Sequence, residues 1–318
     1  AMALGACATE PTGMPVPVVS ETEIEELENA AAAFGIEHFA AWPDVDAYVA
    51  DFAEDVHYFD PTWGDQSSGR DAVTALLTMW EEYTNYTIDV DGVYISTDGA
   101  AYEMSWPNLQ PPIPLAPDPP LASGMEIYRF HDGEVVAEEM WFRSSDNEFY
   151  GIACYAVDGC PAVDETVDRY LAAWTAHDPD AIAALYSDDA AFTDSLLGLE
   201  AEGAAAISAL ADQRFGSAED LTIEVLDLHV WTDGYGPPTE ASPDIGKLIG
   251  VAMHYRAEVD NDGTTEVQEG LTTLELATRD EENLEADPQG LIHREEVYHD
   301  ATTLMETAES SLKPPAQR

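Results

Sequence analysis

Apolar residues fall at helical spacing early in each half of the chain and switch to a period of two afterwards. Val163, Val167, Tyr170, Leu171 and Trp174 lie three or four apart and form one stripe. Asp178-Pro179 then supplies an N-cap and a first-turn proline to a second helix carrying Ile182, Leu185 and Tyr186 inward. Nearer the start, Ser20 and Glu23 have capping-box spacing, and Val45, Tyr48, Val49 and Phe52 make the buried face of a second helix. Gly69 opens "GRDAVTALLTMW" and Gly203 opens "GAAAISALADQRF", each a third amphipathic helix. Strand-like runs follow: "YTIDVDGVYIST", "AAYEMSW", "SGMEIYRF" and "GEVVAEEMWF" in the first half, then "LTIEVLDLHVWT", "IGVAMHYRAEV", "EGLTTLEL" and "GLIHREEVYHD" in the second. Helices first and an antiparallel sheet after them predict an α+β fold.

The order of elements repeats because the sequence repeats. "HFAAWPDVDAYVADFAEDVHYFDPTWG" matches "YLAAWTAHDPDAIAALYSDDAAFTDSLLG"; further on, Gly124 pairs with Gly270 and Glu138-Glu139 with Glu295-Glu296. Asp132-Gly133 marks a tight hairpin in the first copy, where the second has the longer acidic loop "ATRDEENLEADPQG". The expected organisation is a disordered tether over 1–20, a first domain over 21–150, a connector over 151–163, a second domain over 164–307 and a polar tail over 308–318. The insertion "PNLQPPIPLAPDPP" reads as a loop.

Composition narrows the partners. With 318 residues, 45% of them hydrophobic, each half has material for a core. Against 64 acidic residues stand 11 basic ones, a formal net charge of −53. Nucleic acid and anionic membrane surfaces are excluded as partners, because both require a basic footprint. The acid is spread along the chain and reads as a solvated surface. Cys7 ends "ALGAC", which resembles the lipobox of bacterial lipoproteins, and the Pro-rich "ATEPTGMPVPVVS" follows as a tether would. On that reading Cys7 carries the lipid and the protein is exported, as a bacterial cell-surface lipoprotein or a secreted protein. Cys154 and Cys160 either close a small disulfide loop in an oxidising compartment or remain a buried free pair. No run approaches a membrane span.

The order of three helices and a curved sheet, with "AAW…D…YxxDxxxxDPxxG…G" near the front, resembles the nuclear transport factor 2-like fold and its SnoaL-like and ketosteroid isomerase-like members. The resemblance implies two tandem cone-shaped domains, each with three N-terminal helices packed on a curved antiparallel sheet and a pocket between them. It also implies a base, a tyrosine and a protonated acid as found in ketosteroid isomerase; that enzyme is a worked example of pKa tuning, and its logic is borrowed. Carried over, the base falls on Asp60 and Asp194, the tyrosine on Tyr170 but on His38 in the first half, and the acid on Glu126 but on Thr272 in the second. Neither half has the full set.

Asp60 lies in "HYFDPTWG", where it is either a base in an apolar setting or an Asp-Pro turn residue. Tyr58, Trp63, Trp106, Glu138 and Phe142 are expected to line the first pocket. In the second, Asp194, Tyr170 and His299 are the catalytic candidates, with Glu295 and His254 as lining. Histidines beside carboxylates suit proton transfer near neutral pH. No HExxH or comparable spacing is present, so neither a metal nor another cofactor is expected. The function expected is cofactor-independent acid–base chemistry, of isomerase, lyase, cyclase or epoxide hydrolase type, on a small apolar molecule. The alternative is a non-catalytic surface lipoprotein that binds a small ligand or a protein. The two copies are expected to pack sheet against sheet, giving a monomer with an internal pseudo-dimer or else a homodimer.

Overall fold

A computed structural model describes residues 19–60, 65–83, 87–106, 123–143, 163–215, 220–232, 248–261, 264–277 and 291–301. Cys7 and its tether, Trp63, the Pro-rich insertion, Cys154, Cys160 and the polar tail lie outside the described residues, as do the side chains of Asp60 and Phe142.

The first half runs α1 (Glu21–Ala41), α2 (Val45–Tyr48), β1 (Phe52–Asp60), β2 (Asp65–Ser68), α3 (Arg70–Tyr83), β3 (Asp89–Ile95), β4 (Gly99–Ser105), β5 (Ser123–His131) and β6 (Glu134–Arg143). The second repeats it with α4 (Val163–Thr175), α5 (Pro179–Ala183), β7 (Tyr186–Asp194), β8 (Leu199–Glu202), α6 (Ala204–Phe215), β9 (Asp220–Thr232), β10 (Leu248–Asn261), β11 (Thr264–Ala277) and β12 (Ile292–Asp300). Ser20 caps α1 through a reciprocal box with Glu23. Asp178 caps α5 by accepting from the amides of Asp180 and Ala181, with Pro179 in the first turn. The second helix is shorter in both halves than the apolar pattern suggests. Val49 falls in a 3-10 turn, while Phe52 and Tyr186 open strands instead. Asp132 and Gly133, both with positive φ, turn β5 into β6.

Each half builds one curved sheet. β3 to β6 form an antiparallel meander, and β1, which precedes it in the chain, joins β6 in parallel and carries β2. β9 to β12 with β7 and β8 repeat this arrangement. The helices cover the inner faces, over one core around Phe39, Tyr48, Phe52, Tyr102 and Tyr128 and another around Trp174, Ile207, Met253 and Leu274.

The halves join symmetrically. The end of β6 pairs with β9 (Phe142 with Val230, Arg143 with His229), and the end of β12 pairs with β3 (His299 with Ile95, Asp300 with Tyr94). Between these seams the outer faces pack together through Tyr94, Ala101, Met125 and Ile127 from one half and Ala252, Leu271 and Tyr298 from the other. Arg129 reaches across to Glu296, and its guanidinium lies 5.4 Å from the centre of the Tyr298 ring.

At Gly270 a Cβ would stand 2.6 Å from the Tyr298 carbonyl oxygen and 3.1 Å from the Tyr255 hydroxyl. Gly270→Ala is therefore expected to destabilise the second half by about 1–3 kcal/mol, read as a lower urea midpoint with an unchanged m-value.

Candidate functional site

Period-two alternation puts Glu126 and Tyr128 of β5 on the inner face of the first sheet, and pairing sets Tyr128 against Glu138 of β6 and Glu138 against Tyr58 of β1. Glu126 and Glu138 are 2% and 1% exposed. Burying two carboxylates costs several kcal/mol each unless they are hydrogen-bonded, and tyrosines meet that demand here. Tyr128 donates to Glu126 and stands 3.4 Å from Glu138; Tyr48, from the end of α2, stands 3.2 Å from Glu126 and 3.4 Å from Glu138. The two hydroxyls are 2.9 Å apart.

Burial pushes Glu126 up to about 7, although the Tyr128 and Tyr48 hydroxyls pull it back. Burial, and then the charges of Glu126 and Glu138, push both phenols well above their ordinary range, so they act as donors. His38, in the last turn of α1, is lowered to about 3 by burial and is neutral. Its Nε2 lies 3.1 Å from the Tyr128 hydroxyl, and its ring stacks on Phe34 at 4.6 Å. The protons can be ordered without conflict: His38 donates to Tyr128, and Tyr128 to Glu126. Trp106 and Tyr58 are buried in the surrounding core.

The second half keeps the glutamate and changes its partners. Glu295, 1% exposed, pairs with Phe192 and Leu274 at the register points held in the first half by Tyr58 and Tyr128. Tyr170 of α4 donates to one of its oxygens at 2.7 Å and Tyr186 of β7 to the other. Burial, and then the Glu295 charge, hold the Tyr186 phenol well above its ordinary range. An open-mouthed hollow lies between this sheet and α4, with Glu295 in its wall. Its walls are mainly apolar, with Trp174, Ile223, Val225, Met253 and Val297 prominent, and Glu295, Thr272, Tyr255 and Gln268 supply its polar groups.

Asp194 and His299 lie on the same inner face. Asp194 is fully buried; its Oδ1 accepts from the Leu197 amide at 3.1 Å and stands 3.0 Å from His299 Nε2. His299 Nδ1 is 3.4 Å from the Gln268 amide nitrogen, which is 3.5 Å from the Tyr255 hydroxyl. An amide nitrogen only donates, so this arrangement has Nε2–H donating to Asp194 and leaves Nδ1 as the acceptor. Asp194 thus orients an imidazole beside the cavity.

A SnoaL-like domain family model matches residues 36–138 and 167–280. The chain belongs to the SnoaL-like domain family. Similar solved structures include a hypothetical protein with a ketosteroid isomerase-like fold from Catenulispora acidiphila in complex with trimethylamine, at 16% identity over 47% of this chain and 98% of that one (TM-score 0.30). Others are an NTF2-like protein of unknown function from Pseudomonas putida, at 17% over 42% and 82% (TM-score 0.33), and Aln2 from a Streptomyces species, at 14% over 43% and 87% (TM-score 0.32). No curated protein matches the chain.

The SnoaL-like chain does not bring together every residue singled out in its sequence. His254 does not line the pocket: its neighbours Met253 and Tyr255 both take the inner face by plain alternation, and His254 packs against Tyr94 between the halves. His293 sits beside Ser187 and Asp189 instead of the cavity. Tyr48, Tyr128, Tyr186, Tyr255 and Gln268 were not among the sequence candidates. The signal for Tyr128 was its spacing of two from Glu126. Among the described residues, the group with metal-ligand spacing is Glu103, Asp227 and His229, which lies on the outer face.

Because the folded pKa of Glu126 is raised, the folded state holds a proton that the unfolded state loses near 4.5, and stability falls as pH rises from about 4.5 to about 7. His38 has the opposite sign: its contribution is complete above 6.5 and is lost as pH falls toward 3. The two overlap, so the difference between wild type and Glu126→Gln isolates the carboxyl. Relative to that variant, the wild type is expected to lose up to about 3 kcal/mol across this window in urea titrations at a series of pH values.

Proposed function

We propose that this SnoaL-like protein is a cofactor-independent acid–base enzyme acting on a small, largely apolar organic molecule in the cavity of its second domain. One observation carries this reading: an apolar hollow with a buried glutamate at its wall shares a sheet face with a histidine oriented by a buried aspartate. Such a hollow takes an apolar body and leaves few polar groups to fix its orientation. His299 Nδ1 is the proton acceptor, and Asp194 stabilises the imidazolium that forms. Tyr255 offers an O–H donor to a substrate oxygen, and the Gln268 amide nitrogen, which faces both Tyr255 and His299, holds the two in place. Glu295, with Tyr170 and Tyr186, supplies a second hydrogen-bonded centre at the cavity wall. Isomerisation, dehydration, cyclisation and epoxide opening all need this combination of a base, an oxygen donor and a dry pocket.

Activity is assigned to the second half before the first. In the first, His38 is held neutral between Phe34 and Tyr48, with ring centroids 4.6 and 3.9 Å away, and the carboxylates are tied to tyrosines within the core. A binding-only reading has its own support, since both Glu295 oxygens are already engaged by tyrosine hydroxyls.

His299→Ala and Asp194→Asn are each expected to lower kcat/KM on responsive members of a panel of enones and epoxides by about 10²–10⁴-fold, while an apolar fluorophore still binds the cavity. Undiminished turnover in both variants would remove the dyad from the mechanism. Fluorophore binding with no turnover of any panel member by the wild type would favour binding alone.

A further inference from the structure

Where the outer faces meet, Glu103 of β4 comes together with Asp227 and His229 of β9. One ligand atom from each lies within 4.8 Å of the others. His229 is fully buried, and neither ring nitrogen has a hydrogen-bond partner among the described residues. Its Nε2 is 3.6 Å from Glu103 Oε1, which is ion-pair distance but beyond a hydrogen bond. The other Glu103 oxygen accepts from the Tyr94 hydroxyl at 3.1 Å and lies 3.7 Å from His254 Nδ1. Asp227 Oδ1 accepts from the Leu228 amide at 2.8 Å.

Two costs meet here. A buried imidazole without hydrogen bonds forfeits about 1–3 kcal/mol of solvation. Two carboxylates are also brought within 4.8 Å of each other, in a chain whose net charge is already −53. A divalent cation offsets both, because it takes the imidazole lone pair and both carboxylates at once.

We propose that Glu103, Asp227 and His229 form a binding site for one divalent first-row transition metal of the Zn²⁺ kind, bridging the two halves. The donor set selects the class. Ca²⁺ and Mg²⁺ favour all-oxygen shells, whereas an imidazole with two carboxylate oxygens suits Zn²⁺ and its neighbours. Three protein donors would leave a fourth tetrahedral position, and a further imidazole, His254, has its Nδ1 3.7 Å from Glu103. One donor comes from the first half and two from the second, so the metal would act as a clamp. The site lies on the face opposite the cavity and is independent of the proposed catalysis.

The test uses the full chain, stripped with a chelator and titrated with Zn²⁺ in excess Mg²⁺, which occupies carboxylate-only sites on the acidic surface. One equivalent of Zn²⁺ is expected to bind and to raise the thermal midpoint. Co²⁺ in its place is expected to give the visible absorption of a tetrahedral nitrogen–oxygen site. His229→Ala and Glu103→Gln should each weaken Zn²⁺ binding by roughly tenfold or more. The wild-type Co²⁺ spectrum needs no variant, so it decides the matter even where a substitution impairs folding. Three results would overturn the proposal. One is no stoichiometric uptake by the wild type. Another is thiolate charge-transfer absorption, which would put the metal on Cys154 and Cys160. The third is unchanged affinity in both variants.

Discussion

A glutamate buried at the same point of each sheet, held by tyrosine hydroxyls, sets the terms for the rest of the interior. Glu138 and Glu295 stand on the strand that receives the parallel β1 or β7, deep under the helices. A carboxylate in that position must find donors or take up a proton. The donors come partly from the helical layer: Tyr48 ends α2, and Tyr170 lies on α4. The hydrogen bonds therefore fix how the helices dock on the sheet. A slip of one residue in β6 or β12 would turn the glutamate outward and break its bonds to the phenols, so these bonds also pin the register.

The two copies meet this requirement with different residues. The first uses Tyr48 and Tyr128, backed by His38 and a second acid, Glu126. In the second, Ile182, Leu274 and Thr272 stand at the positions of Tyr48, Tyr128 and Glu126, and the hydroxyls come from Tyr170 and Tyr186 instead. The exchange alters volume as well as chemistry. Tyr128 lies among Phe34, Phe39 and Tyr102 at ring separations of 5.2, 6.1 and 5.7 Å, and so fills the centre of its half. Leu274, at the matching point, is a smaller side chain, and in this half Trp174, Met253 and Val297 line an open hollow. Duplication thus preserved the buried acid and changed the residues that serve it.

Much of this was legible in the chain, for physical reasons that differ by residue. The helical stripes and the Ser20 and Asp178 caps act locally, so they could be read directly. The face occupied by Glu126, Glu138 and Glu295 followed from strand alternation, as did that of His299, four residues beyond Glu295. Leu185 and Tyr186 were misassigned because an apolar pair at a helix–strand joint satisfies both periodicities. His254 was misdirected because the run does not show which of its two alternating sets, Met253 and Tyr255 or His254 and Arg256, faces inward. Tyr48 and Tyr186 resembled core residues, since a tyrosine that serves a buried acid has the same pattern as one that packs. The meeting of Glu103 with Asp227 and His229 could not be read at all: it arises only when two sheets, distant in sequence, pack back to back.

The scarcity of cations gives the placement of each one weight. Exposed ion pairs contribute little to stability, and salt screens them. Arg256, paired with Glu258 at 3.2 Å and Glu269 at 3.7 Å, is of that kind. Arg129 is different, because its side chain is only 19% exposed and it joins Glu296 of the other half while facing Asp98 of its own at 3.8 Å. Arg294, two residues earlier on the same strand, also reaches Glu296. Two of the chain's 11 basic residues thus converge on a single glutamate at the boundary. In a molecule with 64 acids, like charges are forced closest together where two acidic surfaces are pressed into contact. An apolar seam of Tyr94, Met125, Leu271 and Tyr298 supplies attraction there but cannot neutralise charge. Cations at the rim of that seam therefore contribute more than the same residues would on the open surface.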